Sequence, residues 1–331
     1  MNLQATTRVM AASRAAIVEA ARTLDKGGLV AFPTETVYGL GADATDAQAV
    51  ARLYAAKGRP RFNPLIAHVG DAEAASALGR FDPAAERLAR AFWPGPLTLV
   101  LPKAEDCRVA ELATAGLDTI AVHVPGHAVA RAILAEVKRP VVAPSANRSG
   151  GLSPTTAEHV VADLGGRIDL VIDAGPTPIG VESTIVACLG SSAILLRPGG
   201  VPRARIEGVL GCALDVAAQV IPGDEGDVMA PGQLASHYAP RARLRLDATD
   251  VWPGEALLAF GTPLPRGAEQ ATAMLNLSPG GDLVEAAANL FSHLRALDGS
   301  GAAAIAVMTL PRDGLGEAIH DRLARAAAPR P

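Results

Sequence analysis

The chain has 331 residues, of which 49% are apolar, 19% charged and only 3% aromatic, with a formal net charge of −4. This length favours two domains, and the balance describes a globular protein whose core is mostly aliphatic. The acidic balance argues against a basic nucleic-acid surface at whole-chain scale and leaves room only for a local basic cleft.

Further classes drop out on spacing. No uncharged apolar run reaches ~18 residues, so no membrane span is expected. The cysteines, Cys107, Cys188 and Cys212, are far apart and form no C-x-x-C pair. That argues against a disulfide framework or a zinc site and fits a reducing cytoplasm. There are four lysines, Lys26, Lys57, Lys103 and Lys138, so any lysine-dependent step has few candidates.

The elements follow in order. Arg8 and Arg14 precede the first acid, Glu19, in the manner of a transit peptide. The better reading is a first helix over 13–25, capped by Ser13, with Ile17, Val18, Ala21 and Leu24 on one face and a stop at Gly27-Gly28. A strand is expected at 29–32, then a helix capped by Thr45-Asp46, with Val50, Leu53 and Tyr54 as its apolar positions and Gly58 as its end. Strands at 65–69, 97–101, 119–124 and 141–143 alternate with helices opening at Asp82-Pro83 and spanning 128–137. Ser153-Pro154 predicts a helix start, Ser as cap and Pro at the first helical position, with a stop at Gly165-Gly166. Strands at 169–172, 183–188 and 194–196 complete an α/β unit.

The text changes at 213–240, where a Pro-Gly-Asp run at 222–227 and then Pro231-Gly232 read as a linker. Strands at 256–260, 271–275 and 303–308, with helices at 283–297 and 315–326, make a smaller unit of Rossmann-like pattern. The expected domains are 1–212, a linker or lid over 213–240, and 241–331.

Four stretches carry the chemistry. Pro33-Thr34-Glu35-Thr36-Val37-Tyr38 follows a strand, where α/β proteins bind ligands; its hydroxyls and carboxylate suit a small polar substrate. The adjoining Gly39-Leu40-Gly41-Ala42-Asp43-Ala44 matches a dinucleotide fingerprint, but it stands six residues off the strand and no ribose-binding acid follows. Lys57-Gly58-Arg59-Pro60-Arg61 sets three cations in a non-helical segment. A cationic helix end accounts for Lys57 and Gly58; Arg59 and Arg61 need another reason, and phosphate binding supplies one. In Pro144-Ser145-Ala146-Asn147, followed by a Gly-rich loop to Thr155, Ser145 and Asn147 can point the same way, and a helix N-terminus lies beyond for an anion. Glu182-Ser183-Thr184 and Leu196-Arg197-Pro198-Gly199 border strands in the same manner. For His68, His123, His127 and His237 a hydrogen-bonded structural role is the default, and no metal spacing joins them.

Taken together, the stretches 33–41, 57–65 with His68, 144–155 and 182–199 resemble the threonylcarbamoyl-AMP synthase family, in the right order over about 10–210. Pro231-Gly232 and Ser236-His237-Tyr238-Ala239-Pro240 resemble the linker of its longer, two-domain members. Two positions depart from the family: His123 stands where Arg is usual, and Ala187 where Asp is frequent.

The resemblance implies a YrdC-type twisted open sheet with helices plus a small Rossmann-like C-terminal domain. It implies a nucleotidyltransferase that joins L-threonine, bicarbonate and ATP into threonylcarbamoyl-AMP and pyrophosphate. Mg²⁺ would arrive on the ATP phosphates and no metal would be held by protein side chains. The product would pass to a tRNA threonylcarbamoyltransferase complex, with weak or no direct tRNA binding. It assigns ATP to Lys57, Arg59, Asn63, Thr119, Ser145, Asn147, Ser153, Arg197, His237 and Tyr238. Lys57, Arg59, Ser145 and Asn147 are the catalytic group among them, and His237 with Tyr238 would close over the nucleotide. It assigns threonine to Thr36, His68, His123, Ala143 (by its backbone) and Ser183. Three rival readings are a carbamoyl-adenylate-forming maturation enzyme, a non-catalytic RNA-binding module and an NAD-dependent enzyme. The first lacks its expected C-x-x-C modules here.

Overall fold

The computed structural model describes residues 6–190, 192–216, 230–232 and 236–329. The Pro-Gly-Asp run at 222–227 lies outside these.

Two sheets organise the chain. The larger is built from β1 (Arg8–Ala11), β2 (Val30–Pro33), β3 (Tyr38–Asp43), β4 (Ile66–His68), β5 (Leu97–Pro102), β6 (Thr119–His123), β7 (Val141–Val142), β8 (Leu170–Asp173), β9 (Thr184–Cys188), β10 (Ala193–Arg197) and β11 (Asp215–Val216). Their order across the sheet is β1-β8-β2-β3-β7-β4-β6-β5-β9-β10-β11, with parallel and antiparallel pairs mixed. Its helices are α1 (Arg14–Asp25), α2 (Ala47–Lys57), α3 (Ala72–Ser76), α4 (Pro83–Phe92), α5 (Ala128–Val137), α6 (Ala157–Leu164) and α7 (Arg203–Leu210). Because β11 pairs with β10, the large sheet runs past 212 to Val216.

Strand periodicity sorts the core into two faces. Val30, Phe32, Val141, Leu170 and Ile172 point to one side, where α1 and α5 cover them. Ala31, Ala67, Val122, Val142 and Val171 point to the other, under α2 and α6. Each fully buried Leu or Val contributes ~1.5–3 kcal/mol, so this patterning alone pins the register. Ile66, His68, Ala121 and His123 share the parity that turns away from the α2 side, where Ile66 and Ala121 pack with Val100, Ile185, Ala187 and Leu196.

Local signals set the helix ends. Ser13 accepts from the Ala16 N–H at 3.1 Å to start α1. The buried stripe there is Ala16, Ala20, Ala21 and Leu24, so Ile17 and Val18 sit at its margin instead of in its centre. Asp46 accepts from the Gln48 N–H at 2.8 Å, and Gly58 ends α2 in the left-handed region at φ 62°.

One expectation is corrected, and the rejected dinucleotide match finds its explanation. The helix expected from Ser153-Pro154 begins three residues later: Thr156 is the cap of α6, and Ser153 turns inward to Glu182. The dinucleotide-like Gly39-Leu40-Gly41 is no phosphate loop. It lies in β3, hairpin-paired to β2. A Cβ on Gly41 would meet the Phe32 ring at 2.7 Å and one on Gly39 would meet the Ala143 methyl at 3.2 Å, so those glycines serve close packing across the sheet.

The smaller unit is a parallel sheet, β12 (Arg243–Arg245), β13 (Glu255–Ala259), β14 (Met274–Asn276) and β15 (Ala304–Val307), in the order β12-β15-β13-β14. Its helices are α8 (Leu283–Asp298) and α9 (Gly316–Ala327). The two units share a core: Val37, Leu152 and Val181 pack in one apolar cluster with Leu290, Phe291 and Leu294 of α8. Gly180 lies against α8 so closely that a Cβ would stand 2.2 Å from the Ala287 carbonyl oxygen.

Candidate active site

One cavity gathers most of the singled-out residues. It is lined by Thr36, Arg59, His68, His123, Ala143, Ser145, Ser183, Arg197, His237 and Tyr238, together with Thr34, Glu182, Pro231 and Gly232. Its volume is about 50 Å³, small against the ~300–1,000 Å³ of ordinary ligand pockets, because Pro231, Gly232, His237 and Tyr238 lie against it.

The basic turn and the Ser-Ala-Asn loop form a single assembly. Lys57 Nζ, at the end of α2, donates to the Asn147 carbonyl at 2.6 Å and also to that of Ser145. Ser145 Oγ donates to Asn147 Oδ1 at 2.6 Å, and Asn147 Nδ2 donates to the Arg148 and Gly151 carbonyls. Burial, with the like charge of Arg59, holds the Lys57 ammonium well below the usual lysine range. Lys57 and Asn147 therefore brace the loop from behind, while Ser145 and Arg59 face the cavity. Arg59 Nη2 is held by Asn63 Oδ1 at 2.6 Å and by the Pro64 carbonyl at 2.8 Å. Burial lowers its pKa to about 10, and the nearby Arg197 charge adds to that. Asn63 is buried behind Arg59, its Nδ2 without a protein partner. Thr119 lies on the cavity-facing parity of β6 but four residues, ~13 Å of strand, from His123, and it does not line the cavity. Ser153 is likewise behind the wall, donating to Glu182 Oε1 at 2.5 Å.

The opposite wall begins with a Ser/Thr turn. Thr34 Oγ1 lies 2.8 Å from Thr36 Oγ1 and accepts from the Thr36 and Val37 N–H groups. Glu35, between them, turns the other way and meets His123 Nε2 at 3.0 Å; its second oxygen accepts from the Gly126 N–H at 2.9 Å. Burial opposes ionisation of Glu35, but the His123 contact and the Gly126 N–H outweigh it and bring its pKa to about 2. His123 Nδ1 lies 3.1 Å from His68 Nε2. Burial takes His68 down to about 3, so it is neutral.

Arg197, at the end of β10, donates to the Ser183 carbonyl at 2.9 Å and to Ser183 Oγ at 3.2 Å. Ser183 Oγ also bonds Thr98 Oγ1 at 2.8 Å. The strap over the cavity is tied beyond its turn, where the His237 N–H donates to the Arg325 carbonyl at 3.2 Å and the Ala239 N–H to that of Gly150 at 2.9 Å; at its start Arg197 Nη1 donates to the Pro231 carbonyl at 3.3 Å. Tyr238, at φ 59°, stacks edge-on against His237 with centroids 4.0 Å apart. Buried His237 Nδ1 has no protein partner, and burial takes the ring down to about 3. An unpaired polar atom in the cavity wall suits a polar ligand.

Two residues behind this wall support it through partners that the sequence does not show. Glu35 was visible only as one carboxylate of a polar turn. Arg322, from α9 of the smaller unit, had no local motif. It is 1% exposed, donates from Nε to Glu182 Oε2 at 2.7 Å, and places its guanidinium carbon 5.1 Å from the Tyr238 ring centroid. Burial opposes ionisation of Glu182, but the Arg322 and Arg197 charges hold it below the usual carboxylate range. Among the described residues no cluster of acids, histidines and cysteines could hold a metal ion, and no helix is long and apolar enough to cross a membrane.

The fold and cavity define an α/β enzyme domain with an appended parallel-sheet domain. Residues 22–199 match the family described as "Telomere recombination", and 201–328 match "Threonylcarbamoyl-AMP synthase, C-terminal domain". The threonylcarbamoyl-AMP synthase of Pyrococcus abyssi is 42% identical, covering 94% of both chains, and that of Bacillus subtilis is 40% identical, covering 95% of this chain and 93% of its own. The crystal structure of P. abyssi Sua5 complexed with L-threonine superposes with a TM-score of 0.88 at 39% identity, covering 97% of each chain. The chain belongs to the threonylcarbamoyl-AMP synthase family.

Proposed function

We propose that this protein condenses L-threonine, bicarbonate and ATP into threonylcarbamoyl-AMP and pyrophosphate. The observation that carries the reading is the convergence of Thr36, His68, His123, Ala143 and Ser183 with Arg59, Ser145 and Arg197 on one cavity. The first set is the amino-acid subsite. Arg59, Ser145 and Arg197 face the triphosphate, braced by Lys57, Asn63, Asn147 and Ser153. Thr119 lies on the same sheet face beyond the cavity and could meet the nucleotide only outside it.

The reaction needs a carbamate, formed from the threonine amine and bicarbonate, to attack the α-phosphate. Charge then builds on the phosphate oxygens and the leaving pyrophosphate, and fixed guanidinium groups in a water-poor site stabilise it. Mg²⁺ carried on the phosphates would add to that neutralisation. His237 and Tyr238 line the cavity; in this reading the strap moves aside for ATP and closes again, excluding water. The smaller unit anchors it through Arg322 and the Arg325 carbonyl. The product is then handed to a tRNA threonylcarbamoyl-transferring complex, without strong tRNA binding by this chain, in the cytoplasm.

The deciding experiment is an assay of pyrophosphate release from ATP. Release that requires both threonine and bicarbonate supports the reading; release indifferent to threonine removes it.

A further inference from the structure

The row Glu35–His123–His68 has a fixed hydrogen count. His123 Nε2 faces two acceptors, Glu35 Oε1 at 3.0 Å and the Gly95 carbonyl at 2.9 Å, so it carries a hydrogen. His68 Nδ1 faces another acceptor, the Ile66 carbonyl at 3.2 Å, so it carries one too. Between the rings, His123 Nδ1 and His68 Nε2 stand 3.1 Å apart, and one of them must donate. That makes three N–H hydrogens on two imidazoles, one more than two neutral rings hold. Removing the third would set two buried lone pairs against each other, which interiors avoid.

The extra charge belongs on His123, beside the carboxylate, since His68 is fully enclosed and neutral. The neighbours offer no other counter-charge. Thr98 of β5 stands opposite His123 in the sheet and, with Ser183 just before β9, is uncharged. His127 gives Glu35 only its backbone N–H, at 3.3 Å. Glu182 is committed to Arg322 and Ser153, and Arg59 and Arg197 are cations further along the wall.

We infer that the His68–His123 pair shares one positive charge, anchored by Glu35, and that this charge receives the carboxylate of the amino-acid substrate, making Glu35 a positioning residue for substrate recognition. The inference rests on the amino-acid subsite proposed above. Its consequence is a threonine affinity that depends on a titratable pair.

The test is the KM for threonine and for ATP, measured by pyrophosphate release with the full-length protein from about pH 6 to about pH 9. A lost charge-assisted contact corresponds to roughly tenfold or more. In the wild type the threonine KM rises by that factor as pH increases, and the ATP KM stays level. Glu35→Gln moves the rise to lower pH and regains wild-type affinity on the acid side, which a merely structural defect would not do. His123→Arg, a permanent cation, flattens the rise. Titration of threonine itself is common to all three proteins and cancels. Coincident profiles for wild type and Glu35→Gln, or an unflattened His123→Arg profile, overturn the inference. ¹⁵N NMR of the histidine rings in the wild type decides the charge without any variant: three protonated nitrogens on this pair are expected, and two would refute it. A wild type without threonine-dependent release would instead sink the proposed function and leave the NMR result to stand alone.

Discussion

Arg322 and Glu182, 140 positions apart in sequence, meet at 2.7 Å in a fully buried ion pair that joins the last helix of the smaller domain to the wall of the catalytic cavity. Removing one partner of such a pair strands the other charge in the interior. Arg322→Met should therefore lower unfolding stability by ~3–5 kcal/mol, read by denaturant titration. Adding Glu182→Gln should recover part of that loss, since both charges are then gone. Equal losses in the single and double variants would show that the pair is not coupled.

Lys57→Ala should lower threonine-dependent pyrophosphate release at least tenfold, by a contribution of ~1.5–3 kcal/mol, with an unchanged circular dichroism spectrum. The loss has a structural route, because the Ser145 and Asn147 carbonyls would lose their donor and the loop its brace. An undiminished rate would remove Lys57 from the site.

Acid should destabilise the protein through Glu35. Its folded pKa, about 2, lies below the ordinary 4.5, so its contribution is complete above the unfolded value. It is lost as pH falls from about 5 towards 2, on the order of 3 kcal/mol in all. His68 and His237 act in the same direction, with folded values of about 3 against 6.5, since both must stay neutral to remain buried. Glu35→Gln should show a shallower loss of stability between about pH 5 and pH 3. Parallel curves would contradict the assignment.

Gly180→Ala should loosen the joint between the domains. The position combines φ 79° with a Cβ site 2.2 Å from the Ala287 carbonyl oxygen, both backbone constraints. Overpacking of this kind costs ~1–3 kcal/mol, with strain at positive φ added. A melting temperature within a degree of wild type would refute it.

The architecture was legible because its signals are local. Asp46 and Gly58 bound α2 by their own chemistry, and Asp82-Pro83 opens α4. Ser153-Pro154 misled for a physical reason: the serine's hydroxyl is engaged by Glu182, a partner distant in sequence, and Thr156 takes the cap. The glycines of β3 hid a strand because their role is to leave space for Phe32 and Val141, which sequence spacing does not reveal. The cavity was mostly readable as short polar runs beside strands, and Arg59, Ser145, Ser183 and Arg197 do converge there. Glu35 and Arg322 were not, since their meaning lies wholly in what they touch.

The tie between Arg322 and Glu182 also bears on how the protein is made. Translation delivers every strand of the large sheet well before α9, so a nascent chain can assemble its catalytic sheet while the cavity still lacks one side. The strap lacks part of its support until Arg322 and the Arg325 carbonyl are in place, although the Gly150 carbonyl and Arg197 already hold Ala239 and Pro231. A chain cut short before α9 should hold the sheet but lack the Arg322–Glu182 pair and the Arg325 contact to the strap.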